Sequence, residues 1–450
     1  MKMRIHTDAM AQAMAGRVVI TAVLIVLTVF SLGLLVGSLC LDAAENPVPQ
    51  PWSLDKSKVS DQLKAFIAAK EAQANVLAAA DGKQLLPEFK SLFVAAAQGD
   101  LRTMSNIWEA VRDHSTVYGY PDTANHTRSH AKQWQPALET YGALAEFADG
   151  EDKYPIAFGQ DIIQSIPPGS IYFGGTGPGR FLVTALSRSQ INADPFFTLT
   201  QNGLQDDTYL DYLRAMYGSR IAIPSEQDIQ CSFQDYAEYL QLRAKHREQL
   251  NPDEGVTITT NGDLRVTGAG AVFNIRGRIS KLIFDKNPDH EFYFEESFVN
   301  PWMYPYLEPH GLIMKLNRKP LAQLNPAVVA RDRDFWDGLT KQLLTDPGFL
   351  GNRWARMTYS KHRTAIAGVY AYRRLTDEAE YAFKQAVALD PKNPEANFRL
   401  VQLYAEQNRF DDGITVLKSL QQRVPSDQKL QGAISELERL KQSKQTEPSP

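Results

Sequence analysis

Hydrophobic and polar positions follow four rhythms along this chain. From Val18 to Leu41 they do not alternate: twenty-four residues pass without a charge. As a helix that run would span about 36 Å, against a hydrocarbon core of about 30 Å. Between residues 54 and 150 apolar positions recur at helical spacing. Leu63, Phe66, Ile67 and Leu77 mark one amphipathic helix, and residues 85–98, 101–114 and 136–149 make three more. The turn Gly99-Asp100 is short enough to fold the second and third into an antiparallel hairpin. From residue 151 to about 330, short apolar runs at 171–173, 196–200, 291–295 and 312–316 alternate with amphipathic segments at 181–189, 206–217, 226–250 and 272–283. That is the pattern of an α/β domain on a mostly parallel sheet with helices. Within it, Asn261-Gly262-Asp263 joins two further runs as a β-hairpin. After residue 331 the chain is helical again, through about residue 442, and it repeats.

The flanks of the first run set its orientation. Lys2, Arg4 and Arg17 precede it, whereas Asp42 and Glu45 follow and no base comes before Lys56. This bias predicts a cytoplasmic N-terminus over residues 1–17, a single transmembrane helix over 18–41, and the bulk of the chain outside the cytoplasm, in a periplasmic space. A cleaved signal peptide would have an apolar core of about 7–15 residues ending in an A-x-A-like site. Cleavage after Ala43 or Ala44 would instead leave Leu41 or Asp42 three residues back, and Cys40 as a lipidation site would follow Leu39. The proline-rich stretch within residues 42–53 reads as a stiff spacer.

The final block repeats with a period of 34. Pro391 and Pro425 end two aligned segments: Ile366, Ala367, Tyr370, Ala379, Phe383 and Ala386 in the first answer to Leu400, Val401, Tyr404, Gly413, Leu417 and Leu420 in the second. Residues 360–393 and 394–427 thus resemble two tetratricopeptide repeats. Arg363 and Asn397 stand where that family has tryptophan, and Gly413 where it has alanine. Helices at 334–346 and 428–441 would cap the stack, with 443–450 as a disordered tail. The resemblance implies a groove for a protein partner, lined by the first helix of each repeat: Lys361, Thr364, Gly368 and Ala371, then Glu395, Phe398, Gln402 and Glu406. The competing reading is that two repeats, fewer than the roughly three normally needed, dock on the middle block.

Charge and composition narrow the chemistry. Lys+Arg 48 against Asp+Glu 52 leaves a net charge of -4, so nucleic-acid binding driven by overall charge is excluded. Two cysteines supply neither a disulfide framework nor a four-cysteine zinc site. His126 and His130 have metal-ligand spacing but lie in a loop-like run without an accompanying carboxylate motif. No cofactor motif and no G-x-S-x-G or H-E-x-x-H sequence occurs, and no catalytic set is assigned. The one loop with ligand-binding character is Gly174-Gly175-Thr176-Gly177-Pro178-Gly179-Arg180, between a strand and a helix. Such loops present backbone N–H groups to anions, yet this one fits neither the P-loop nor the dinucleotide fingerprint. Thr176, Gly177, Gly179, Arg180 and, at the same sheet edge, Asn202 are the candidate ligand residues. The alternative is a tight structural turn with Arg180 satisfied by a neighbouring acid.

The stretches SIPPGSIYFGGTGPGRF, DPFFTLTQN and EFYFEES…YPYLEPHGLIMKL resemble the soluble extracytoplasmic region of bacterial multi-pass, glycosyltransferase-like proteins related to protein O-mannosyltransferases. In that family the catalytic acid sits on a loop between membrane helices. With one membrane segment here, the resemblance carries over no catalytic residue. It also implies an acid in the glycine loop, where this chain has Gly177. The expectation is a membrane-anchored, non-enzymatic protein-binding scaffold, accessory to envelope glycosylation; the alternative is a sugar- or phosphosugar-binding module, or a glycosyltransferase-related enzyme, using residues 174–180.

Overall fold

The computed structural model describes residues 61–112, 131–149, 153–175, 177–187, 195–245, 255–258, 264–267, 269–295 and 299–446. The apolar run at 18–41, the spacer, His126, His130 and Thr176 lie outside them. No helix among the described residues is long and apolar enough to cross a membrane. The described residues gather into two compact units, 61–295 with 300–302, and 303–446 with 299. They are mostly helical, with sixteen α-helices and seven short strands.

The first unit opens with α1 (Asp61–Ala80), α2 (Pro87–Ala97), α3 (Leu101–Arg112), α4 (Ala131–Asp149) and α5 (Lys153–Ser165). Gly99, at φ +69°, makes the expected turn between α2 and α3, and Asp100 caps α3 by accepting from the Thr103 N–H at 3.1 Å. Apolar stripes of α1 to α4 share one core, in which Trp108 stacks between Trp134 at 4.2 Å and Tyr141 at 4.6 Å. Two elements differ from the sequence reading. Helix α4 begins at Ala131, so Pro136 lies inside it and not in its first turn. Helix α5 stands where the α/β pattern was expected to begin, and its buried stripe Tyr154, Phe158, Ile162 has helical spacing.

Strands β1 (Ile171–Phe173), β2 (Phe197–Leu199) and β5 (Phe292–Phe294) are only three residues each, so the sheet is smaller than the pattern implied. All are parallel with β1 central: Ile171 faces Phe197 and Phe292, and Phe173 faces Leu199 and Phe294. Buried on both sides, they read as continuous apolar runs. Helices α6 (Pro178–Leu186), α7 (Asp207–Tyr217), α8 (Glu226–Lys245) and α9 (Ala269–Lys286) complete the unit. The Asn-Gly signal does produce a hairpin, β3 (Gly255–Ile258) with β4 (Leu264–Thr267).

The second unit starts with an antiparallel hairpin, β6 (Leu307–His310) and β7 (Ile313–Leu316), turning at Gly311 with φ +63°. Strand β6 was not foreseen, because Pro309 weakens its strand signal. The helices are α10 (Pro326–Thr345), α11 (Pro347–Gly351), α12 (Arg353–Tyr372), α13 (Thr376–Leu389), α14 (Pro394–Glu406), α15 (Phe410–Arg423) and α16 (Lys429–Thr446). The two helical hairpins turn identically. Arg374 and Asn408, 34 positions apart, hold φ of 58° and 59°. The following N–H of Leu375 or Arg409 returns to the carbonyl of Tyr370 or Tyr404 at 3.0 and 2.8 Å. This left-handed cap satisfies carbonyls that each first helix would otherwise leave open.

Candidate functional site

The carboxyl ends of β2, β1 and β5 lie in one row, followed by Thr200, Gly174 and Glu295. The glycine loop leads from here into α6, with Gly177 at the N-cap and Pro178 in the first turn. Its anion seat is taken from within. The Gly175 N–H donates to Glu295 Oε2 at 2.5 Å, and the same carboxylate oxygen lies 2.0 Å from where a Cβ on Gly179 would be. Glycine is required there because the side chain of Glu295 fills the space. A second carboxylate, that of Glu146, stands 2.9 Å from the corresponding point on Gly177. The helix N-terminus therefore meets protein carboxylates, the charge it favours.

Arg180 is turned away from this loop into a buried cluster. Its Nη2 donates to Glu139 Oε1 at 3.0 Å and to Gln135 Oε1 at 3.1 Å, and its guanidinium lies over the rings of Phe181 and Tyr209. The other carboxylate oxygen of Glu139 meets Lys70 Nζ at 2.5 Å and accepts from the Tyr212 hydroxyl at 2.9 Å. Burial pushes the Glu139 carboxyl up, but Lys70 and Arg180 together outweigh it and hold it below its usual range. Burial, and then Glu139, push the Tyr212 hydroxyl well up, so it stays a donor. Of the candidate ligand residues, Gly177, Gly179 and Arg180 are thus brought together at the start of α6, with Glu146, Glu295 and Glu139 respectively beside them. Nothing in this arrangement favours a phosphate on the loop.

Asn202 is held elsewhere along the edge. Arg276 of α9 donates to Asn202 Oδ1 at 2.5 Å and to Gln205 Oε1 at 2.7 Å. Beside them, Asn300 Nδ2 donates to Gln201 Oε1 at 2.8 Å. Asp206 is the N-cap of α7 and accepts from the Thr208 N–H at 2.9 Å. Cys231 is a free cysteine exposed on α8. No metal-ready group of three or more His, Cys, Asp or Glu exists among the described residues. At the amino ends of the strands, an open cleft is bordered by Arg220, Lys286, Asn287 and His290. Its polar groups are engaged: Lys286 pairs with Asp228 at 3.0 Å, Asn287 bonds both backbone groups of Ala222, and His290 Nδ1 lies 2.7 Å from the Gly169 carbonyl.

In the second unit, the face expected to line a groove is partly closed by its own chain. The Tyr304 hydroxyl lies 3.8 Å from the Cβ position of Gly368, and Arg399 Nη1 lies 2.9 Å from it. The Tyr304 ring stacks on Tyr372 at 4.8 Å. Arg373 ties this segment down through the carbonyls of Leu321 and Pro305, at 2.7 and 2.8 Å. Thr364 is buried, with its hydroxyl turned back to the Ser360 carbonyl at 2.8 Å. Phe398 is buried in the core that α14 and α15 share with Leu430, Ile434 and Leu437 of α16. Neither lines an open groove, contrary to expectation. Glu395 pairs with Arg399 at 3.1 Å. Burial raises the Glu395 carboxyl, and Arg399 and Lys361 oppose that rise. Gln402 donates to Glu406 at 2.9 Å on the exposed side of α14. Lys361, Ala371, Glu395, Gln402 and Glu406 are the expected groove residues that keep surface.

Position 363, where the repeat family has tryptophan, is filled in another way. Arg363 is buried, donates to Asp332 Oδ2 at 2.7 Å and to Gln385 Oε1 at 2.8 Å, and lies over the Trp336 ring. Tyr370 donates to the same Asp332 oxygen at 2.7 Å. The aromatic ring is thus supplied by α10, which caps the stack as expected. Nothing in the spacing of repeat residues could have shown this, since Asp332 and Trp336 lie outside the repeat. Between repeats, Glu380 accepts from Arg409 at 2.5 Å and from Tyr404 at 3.0 Å. The Arg409 hydrogen bond, above all, holds its carboxyl down to about 2.

Residues 374–437, from the turn before α13 into α16, match the family model described as tetratricopeptide repeat. Comparison of the chain with curated proteins and with solved structures gave no match. With its 34-residue turns, its paired helices and this match, the C-terminal part of the chain carries tetratricopeptide repeats.

Proposed function

We propose that this protein is a scaffold that binds a partner protein through its tetratricopeptide region while residues 18–41 tether it in a membrane. The observation that carries the reading is the repeat itself: paired helices with equivalent turns at Arg374 and Asn408, inside the stretch that matches the repeat family. Repeat arrays of this kind work by offering an extended helical face to a partner. Because Tyr304 covers the face near Gly368, the open part runs along α14, through Gln402 and Glu406, with Lys361 beside it. The lysine and arginine bias around residues 18–41 supports a periplasmic placement of everything after residue 42. The likeness of residues 155–320 to an extracytoplasmic region of O-mannosyltransferase-related proteins supports a role beside envelope glycosylation, without catalysis.

A photo-crosslinking residue placed at Gln402 in the full chain, in native membranes, tests the binding face. A discrete protein adduct is expected from that position, diminished by Glu406→Lys and missing when the crosslinker stands at Lys384. Equal adducts from both positions, or none from either, would sink the proposal. Extraction of the chain by alkaline carbonate, or a cytosolic C-terminal reporter, would remove the tether from it.

A further inference from the structure

The polar side chains at the end of β2 are arranged for something other than each other. Thr200 and Gln201 are each 2% exposed, yet Thr200 Oγ1 and Gln201 Nε2 have no hydrogen-bond partner. Buried polar atoms in that condition are uncommon in folded proteins and call for a cause. The rest of the cluster adds to the pattern. Arg276 can only donate, so the oxygens of Asn202 and Gln205 must face it, and both amide NH2 groups turn away from it. Asn300 in turn takes up the oxygen of Gln201 and leaves its NH2 over. One guanidinium and one amide therefore hold three neighbouring side-chain amides by their oxygens and leave the NH2 groups over, that of Gln201 buried at the strand end beside the Thr200 hydroxyl. Gly277 of α9 makes room for this packing: a Cβ there would lie 2.0 Å from Asn300 Oδ1.

We infer that this cluster, Thr200, Gln201, Asn202 and Gln205 held by Arg276 and Asn300, is a binding site for a neutral, hydroxyl-rich ligand of the pyranose or polyol class. It stands where ligands bind in parallel α/β sheets, beyond the carboxyl ends of the strands. Amides set side by side reach vicinal hydroxyls, which accept from the NH2 groups and donate to the Thr200 oxygen. An anion is disfavoured, because the carboxylates of Asp206 and Glu295 border the same edge. The site is separate from the glycine loop, whose N–H group Glu295 occupies. It is also independent of the scaffold reading, which concerns the other compact unit.

The test uses the full chain in detergent, with D-mannose, D-galactose and myo-inositol as probes and inorganic phosphate as the anionic control. Saturable heat or thermal stabilisation is expected with at least one neutral probe, and none with phosphate. Thr200→Val removes a hydroxyl that bonds nothing in the fold, so it should leave Tm unchanged or raised while weakening binding about tenfold, the worth of one well-placed hydrogen bond. Asn202→Leu should weaken binding by a similar factor, whereas a substitution at the exposed Lys418, Lys418→Ala, should leave it unchanged. Silence from all three neutral probes, preference for phosphate, or full binding by Thr200→Val and Asn202→Leu would each overturn the inference.

Discussion

Two buried arginines, one in each compact unit, are neutralised on different terms. Arg180 shares the single carboxylate of Glu139 with Lys70, so two cations surround one acid. Arg363 has Asp332, with Tyr370 adding a neutral donor. A buried ion pair is retained less for its net energy than because each partner makes the other tolerable. The difference therefore lies in what is stranded when the acid goes: a buried ammonium and a buried guanidinium in the first unit, one guanidinium in the second.

The widest gap between the units should appear on removing those acids. Glu139→Gln is expected to destabilise the first unit by about 5 kcal/mol or to prevent its folding, and Asp332→Asn to cost the second about 3 kcal/mol. Urea unfolding followed by tryptophan fluorescence separates them, and equal losses would erase the contrast. A second comparison, by pH, reaches an acid between the repeats. The Glu380 carboxyl is held from its ordinary 4.5 down to about 2 by the Arg409 hydrogen bond, against burial, with Lys384 and Tyr404 adding to it. Its folded-state value is depressed, so its contribution is complete above about 4.5 and fades as pH falls toward 2. Glu380→Gln should flatten the acid limb of the stability–pH curve over that window, and an unchanged limb would show the pair to be inert. The smallest effect is expected at the two left-handed turns. Arg374→Gly should stabilise by about 0.5–1 kcal/mol, and Asn408→Gly by less, because asparagine tolerates positive φ better than arginine. Matched thermal melts resolve this order, and a reversed order would contradict it.

How much of this was legible in the residues depends on sequence distance. The repeat declared itself because each pair of helices carries its own small residues, turn and proline within 34 positions. The Asn-Gly hairpin and the cap at Asp206 are equally local. The surroundings of Arg180 were not readable: Glu139 lies 41 positions upstream, and Lys70 further still. The same holds for Gln201 and Asn300, which are 99 positions apart. Asn202 could be placed at the strand edge from periodicity, but that Arg276 holds it is a tertiary fact. Helix α5 was missed for another reason: its apolar stripe abuts a proline-rich turn, and short apolar runs there fit either a strand or a helix.

Tyr304, laid against Gly368 and stacked on Tyr372, changes how binding measurements on this protein must be read. A ligand that seeks that stretch of α12 competes with a tenant tethered to the same polypeptide, and its apparent affinity falls by the fraction of molecules in which the tenant has left. An excised fragment beginning after residue 325 would lack the competitor. Constants obtained with such a fragment would overstate what the intact molecule offers, and their ratio to the full-length values would measure how firmly the aromatic latch is shut.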